Sequence, residues 1–248
     1  MPSAKHPGRV VTPADAQLTL DLFNVTRHAF ADYHAGPQGA ALAALEQWSR
    51  AAGPPVIYLW GAPASGKSHL LQAAVRAASE RGARAMYLPL RDLLDAGPAV
   101  LDGLDSVAVI ALDDLDAAFG DAAWELRLFH LYNALHASGG RLLWAGQRAP
   151  AACPIGLHDL ASRLAASLVF HLREFDDRDK AAALAALARK RGLDLAPPVL
   201  EFILRRERRD MAALVALLDV LDAASLRQHR ALTVPFVRAV LEQRGSAG

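Results

Sequence analysis

The run Gly61-Ala62-Pro63-Ala64-Ser65-Gly66-Lys67-Ser68 fits the pattern G-x-x-x-x-G-K-[ST]. The spacing has a chemical reading. Gly61 and Gly66 let the backbone curl until its N–H groups converge on phosphate oxygens, and a helix starting at Lys67 adds the positive end of its dipole. Lys67 supplies a compact charge for the β- and γ-phosphates, and the Ser68 hydroxyl can ligate Mg²⁺. A glycine-rich turn can match by chance. Here eight positions agree, with an apolar run before them and a helical pattern after. Asp113-Asp114 follows the apolar run VAVIAL. A carboxylate at the end of a buried strand can hold Mg²⁺ through water, and a neighbouring acid can orient an attacking water. Asp113 is the metal-side candidate and Asp114 the water-polarising one. Alone, the pair would read equally well as a solvated turn. The upstream loop favours the metal reading.

These residues need strands and helices to hold them. VIYLW (56–60), ARAMYL (83–88), VAVIAL (107–112), RLLWAG (141–146) and SLVFHL (167–172) read as five buried strands. Helical patterns separate them, at 38–51, from Lys67 to Glu80, and at 121–138, where Trp124, Leu128, Leu131 and Leu135 share a face. Buried strands alternating with helices predict a parallel sheet covered on both faces. Beyond about Arg173 only helical patterns remain, at 177–191, 196–207, 210–224 and 233–243. The expected organisation is a tail at 1–24, an α/β nucleotide-binding domain at 25–172 and a small all-α lid at 173–248.

Composition narrows the field. The chain has 248 residues, 53% hydrophobic and 21% charged, with a net charge of +1. That is a globular chain, and its charge argues against a strongly basic nucleic-acid binder. A single cysteine, Cys153, forms no internal disulfide and fits a cytoplasmic protein. It reads as a small apolar loop residue. The first sixteen residues lack the apolar core of a signal peptide, and no apolar run reaches membrane-spanning length, so no membrane association is expected.

The chain resembles the AAA+ ATPases of the bacterial initiator clade. GAPASGKSHL (61–70) is similar to the phosphate loop of the initiator DnaA, and LLWAGQRAP (142–150) to its sensor 1 strand and turn. LHDLASRLA (157–165) resembles the segment bearing an arginine finger. RRDMAALVALLDVL (208–221) resembles the sensor 2 helix, and LTVPFVRAVLE (232–242) the last helix of the lid. After that the chain has no counterpart of the DnaA helix-turn-helix domain. A DnaA-type core, a lid, no DNA-binding domain and a short apolar tail peptide together look like the Hda family of DnaA homologues.

The resemblance implies a fold, an AAA+ P-loop core with a five-stranded parallel sheet followed by a helical lid. It implies ADP or ATP with Mg²⁺ as cofactors, the nucleotide contacted by residues 61–68, His69 and Arg209. It makes Arg163 an arginine finger, pointed at a nucleotide held by a partner. Arg205, Arg206, Arg208 and Arg209 cluster, so the register of Arg209 is less definite than that of Arg163. The tail Gln17-Leu18-Thr19-Leu20-Asp21-Leu22-Phe23 resembles a sliding-clamp-binding peptide. Gln17 would bond at the rim of a clamp pocket, Leu20 and Leu22 would anchor, and Leu18 and Phe23 would support. A strand packed on its own core is the plainer reading of that tail.

The implied partners are the DNA polymerase III sliding clamp and DnaA, with self-association and with DNA met mainly through the clamp. The implied role is a negative regulator of replication initiation that stimulates hydrolysis of DnaA-bound ATP. Two departures bear on mechanism. The Asp113-Asp114 pair leaves autonomous hydrolysis open, and Gln147 stands where the initiator tends to have an acid. An autonomous AAA+ ATPase of the helicase-loader type is the alternative.

Overall fold

The computed structural model describes residues 28–206, 211–228 and 230–245. The tail candidates Gln17, Leu18, Leu20, Leu22 and Phe23, together with Arg208 and Arg209, lie outside the described residues.

Five strands, β1 (Val56–Trp60), β2 (Ala85–Pro89), β3 (Val109–Asp113), β4 (Arg141–Gly146) and β5 (Leu168–His171), form one parallel sheet in the order β2-β3-β4-β1-β5. Their side chains alternate between two cores, as the pleat requires. Tyr58, Ile110, Leu112, Leu142 and Trp144 face one side. Ile57, Leu59, Val109, Ala111, Leu143 and Ala145 face the other. Helices α1 (Gly39–Ser49) and α2 (Lys67–Ser79) cover the second side, through Leu45, Trp48, Leu70 and Leu71. The short α3 (Leu90–Leu93), α4 (Ala122–Ser138) and α5 (His158–Ala165) cover the first, through Leu90, Leu128, Leu160 and Leu164.

Local signals account for the ends of α4. Asp121 Oδ1 accepts from the N–H groups of Ala123 and Trp124 at 2.9 and 3.2 Å, and Gly139 stops the helix at φ 74°. Beyond the sheet come α6 (Asp177–Lys190), α7 (Pro197–Arg206), α8 (Met211–Gln228) and α9 (Val234–Gly245). They bury a separate apolar core that includes Leu184, Val199, Leu217, Leu221, Phe236 and Val237. The architecture is an α/β core around a five-stranded parallel sheet, followed by an all-α lid.

Two strands begin later than their apolar runs. β2 starts at Ala85 and β3 at Val109, and β3 ends on Asp113. Val107 is spent closing a 3₁₀ turn, its N–H bonded to Leu104 O at 2.9 Å. Among the described residues no helix is long and apolar enough to cross a membrane, and no cluster of His, Cys, Asp or Glu could hold a metal ion by itself.

Candidate functional site

All five strands are parallel, so the loops at their carboxyl ends meet on one edge of the sheet, where open α/β sheets bind ligands. β4 lies between β1 and β3. The phosphate-loop candidate after β1 and Asp113 at the end of β3 are therefore two strand spacings apart, about 10 Å.

The loop is tightly built. Gly66 has φ 93° and opens α2, and Ala64 is left-handed at φ 62°. A Cβ on Gly61 would lie 2.3 Å from Leu172 O, and one on Gly66 would lie 2.9 Å from the Tyr33 ring. Only glycine allows either approach. Ser65 and Lys67 are buried, while Ser68 and the Pro63-Ala64 turn are exposed. Lys67 Nζ donates to Gly61 O and Ala62 O, both at 2.8 Å, and to Ser65 Oγ at 3.4 Å. Burial pushes the Lys67 ammonium pKa down, and Asp113, Asp114 and Asp116 oppose that shift. A curled loop with its one ammonium held on loop carbonyls is an arrangement a phosphate chain fits.

Asp113 is 2% exposed and oriented twice over. Its Oδ1 accepts the Asp114 N–H at 2.9 Å and its Oδ2 the Tyr87 hydroxyl at 2.7 Å. Asp114 is left-handed at φ 52° and pairs with Arg91 at 3.3 Å. Gln147 follows β4, and its N–H donates to Asp116 Oδ2 at 2.5 Å. Gly146 makes room for that contact: a Cβ there would meet Asp116 Oδ2 at 2.6 Å and Tyr58 Oη at 2.5 Å.

His69 turns its ring to residues 28–38. It stacks on His28, with centroids 4.3 Å apart, lies 5.3 Å from Tyr33, and meets Ala29 O at 3.1 Å. These contacts tie the ring to the segment that precedes α1. Residues 28–38 include two 3₁₀ turns, Phe30–Asp32 and Gly36–Gln38, and this segment reaches the loop, the stretch between β5 and α6, and the lid together. Tyr33 Oη donates to Gln38 Oε1, Gln38 Nε2 donates to Arg173 O at 2.5 Å, and Asp32 meets Lys190 at 3.8 Å. A cavity of about 390 Å³ opens between Pro63 and Ala64 on the loop and Phe175, Lys180 and Met211 on the lid side.

Arg163 sits elsewhere, on the exposed side of α5. Leu160 and Leu164 of that helix pack on the sheet face opposite α2. Its guanidinium lies over the Tyr132 ring, 5.5 Å from the centroid. No acidic partner meets it among the described residues. Cys153 is half-buried, with its thiol toward Ala149 O at 3.4 Å and Tyr58 Oη at 3.7 Å, as a packing residue would be.

Three residues escape a reading by motif: Tyr87, Arg91 and Glu125. The first two meet the aspartates across a strand boundary. Glu125 is 2% exposed inside an otherwise apolar helix face, and that is the one signal that marks it.

Residues 177–241 match the family model described as the Hda lid domain. The fold is similar to domain III of the replication initiation protein DnaA from Thermotoga maritima, at 21% identity over 87% of this chain and 95% of that one, with a TM-score of 0.71. It is similar to AMPPCP-bound DnaA from Aquifex aeolicus, at 20% identity over 79% and 65%, TM-score 0.65. A RuvB variant from Thermotoga maritima matches at 15% identity over 86% and 72%, TM-score 0.59. The lid thus matches the Hda lid domain, and the sheet with that lid has the fold of DnaA domain III.

Proposed function

We propose that this protein is a cytoplasmic regulator of replication initiation, an adaptor that stimulates hydrolysis of ATP bound to DnaA. Its own site holds ADP or ATP. The loop 61–68 would cradle the phosphates, and Lys67 would leave the loop carbonyls to meet them. Ser68 and Asp113 would sit on the Mg²⁺ side. The pre-formed loop and the AMPPCP carried by a protein of the same fold support that reading. The tail residues Gln17, Leu18, Leu20, Leu22 and Phe23 would dock on the sliding clamp, and Arg209 would reach the nucleotide from the lid.

One observation carries the proposal. Arg163 is exposed, unpaired by any acid among the described residues, and borne on the sheet face opposite α2. A guanidinium so placed suits a nucleotide in a neighbouring subunit better than its own. There its planar fork would stabilise charge on the transferring phosphoryl group.

The test follows conversion of DnaA-bound ATP to ADP with DNA-loaded clamp. The wild type should stimulate it. Arg163→Ala should keep nucleotide and clamp binding yet lose most of a stimulation for which fingers account for about 10³–10⁵. Arg163→Lys should not restore it, because a point charge lacks the fork. A Gln17→Ala, Leu20→Ala double variant should fail in clamp pull-down. Wild-type stimulation by Arg163→Ala removes the finger role. Asp113, held ready by two hydrogen bonds, makes an autonomous ATPase of the helicase-loader type the second reading. Failure of the wild type to stimulate DnaA would favour it.

A further inference from the structure

We propose that α4 is a two-point cradle for Arg163, in which Glu125 fixes the start of α5 and Tyr132 holds the guanidinium, making both of them positioning residues for the trans-acting arginine. The inference rests on the trans role given to Arg163 above.

The first point is a buried carboxylate. Glu125 Oε1 accepts from Gly120 N–H at 2.8 Å and from Gly156 N–H at 3.1 Å, and Oε2 accepts from Leu157 N–H at 2.7 Å. Burying a carboxylate is costly unless its lone pairs are filled, and here three backbone donors fill them. Two of those donors lead directly into α5. Leu157 is its N-cap residue and offers no side-chain cap, and Glu125 instead binds the N–H of that residue and of the one before it, which fixes where the helix begins. Its negative charge also lies at the positive end of the α5 dipole. α5 has eight residues, too few to hold its shape alone, so what grips the chain entering it sets its position.

The second point lies two helical turns further along α4. Residues seven apart share a helix face, which brings Tyr132 onto the face of Glu125. The Tyr132 ring is 8% exposed, backed by Trp144 at 5.8 Å, and carries the Arg163 guanidinium 5.5 Å from its centroid. A carboxylate in that place would hold the arginine more firmly but would neutralise it and compete with phosphate. An aromatic face directs the guanidinium and leaves its donors free. One helix thus holds α5 at its start and at its working residue.

The experiment compares wild type, Arg163→Ala, Tyr132→Leu, Tyr132→Phe and Glu125→Gln in the full chain. DnaA-bound ATP is followed over a range of concentrations of this protein. Hydrogen exchange of Gly156 and Leu157 is measured in parallel. Misplacing a reacting group by 1 Å can cost about 10²-fold, so Tyr132→Leu should lower the maximal stimulated rate by about tenfold or more. Its half-saturating concentration and nucleotide content should stay at wild-type values. Tyr132→Phe keeps the ring face and should stay within about twofold of wild type. Glu125→Gln keeps the shape but cannot accept three N–H bonds, so both amides should exchange faster and the maximal rate should fall.

A wild-type maximal rate in Tyr132→Leu overturns the seat. Faster exchange with an undiminished rate in Glu125→Gln overturns the anchor and leaves Glu125 a folding residue. If wild type and Arg163→Ala are equally inert, the trans role itself fails and the cradle falls with it. That outcome is recognisable because it does not involve residues 125 and 132.

Discussion

Tyr87 and Asp113 are joined across neighbouring strands, the phenol donating to Oδ2 at 2.7 Å. One aromatic side chain therefore orients one of the two groups proposed for the Mg²⁺ side of the nucleotide. Burial and the nearby carboxylate push its pKa well above the ordinary tyrosine value, so it stays a donor throughout the physiological range.

Tyr87→Phe removes that donor and little else. The loss of one buried hydrogen bond should cost about 1 kcal/mol of stability. Asp113 keeps its bond from the Asp114 N–H but loses the second restraint. The affinity gained on adding Mg²⁺ to the nucleotide titration should fall severalfold, while binding without Mg²⁺ stays unchanged. Equal losses with and without Mg²⁺ would move Tyr87 from the metal side to general folding.

The strands that sequence reads to the residue are β1 and β4, and both have hard edges. Pro54-Pro55 and Gly61 bound the first, and Gly139-Gly140 precedes the second. β2 and β3 start two residues late because Ala83 donates its N–H back to Ala78 O at the end of α2 and Val107 closes a 3₁₀ turn. Period-based reading does not see residues 28–38, whose 3₁₀ turns have neither helical nor strand spacing. Glu125 illustrates the deeper limit. Its Gly156 and Leu157 partners are backbone N–H groups 31 and 32 residues further on, so no local pattern names them. The phosphate loop is legible because its chemistry is local, and its closure by Tyr33 is not.

Lys67→Ala tests the nucleotide site. The substitution removes the loop's one ammonium and three internal hydrogen bonds. Ligand present at 100 times its Kd stabilises the folded state by about 2.7 kcal/mol, so ADP should raise the Tm of the wild type by several degrees. The variant should show no shift at the same concentration. An undiminished ADP-induced shift would leave the loop without its assigned role.

His69 makes stability depend on pH. Burial lowers its pKa from 6.5 to about 4, with the backbone contact to Ala29 opposing. Between these values the unfolded chain binds a proton that the folded chain does not, so stability is complete above pH 6.5 and is lost as pH falls toward 4. The full loss is about 3 kcal/mol at most. Urea unfolding at pH 7 and pH 5 should show a smaller difference in His69→Gln than in the wild type. An identical pH dependence in the two proteins would mean that the ring is freely protonated in the folded chain.

Gly61→Ala separates the loop's geometry from its charge. A Cβ at this position would sit 2.3 Å from Leu172 O, and Leu172 is itself held by donating its N–H to Trp60 O at 2.7 Å. Neither side is a flexible side chain that could swing away, so the loop and the end of β5 must part. Overpacking of this kind costs about 1–3 kcal/mol, and each kcal/mol lowers the Tm of a chain of this size by about 2–4 °C. Nucleotide affinity should fall with it although Lys67 is intact. Gly39→Ala is the control: it opens α1, and an added Cβ there has nothing within 4 Å. Alanine is favoured over glycine in a helix by up to about 1 kcal/mol, so that variant should match or exceed wild-type Tm and bind nucleotide normally. Wild-type Tm and affinity in Gly61→Ala, with Gly39→Ala behaving as expected, would show that the loop closes on β5 less tightly than the 2.3 Å approach requires.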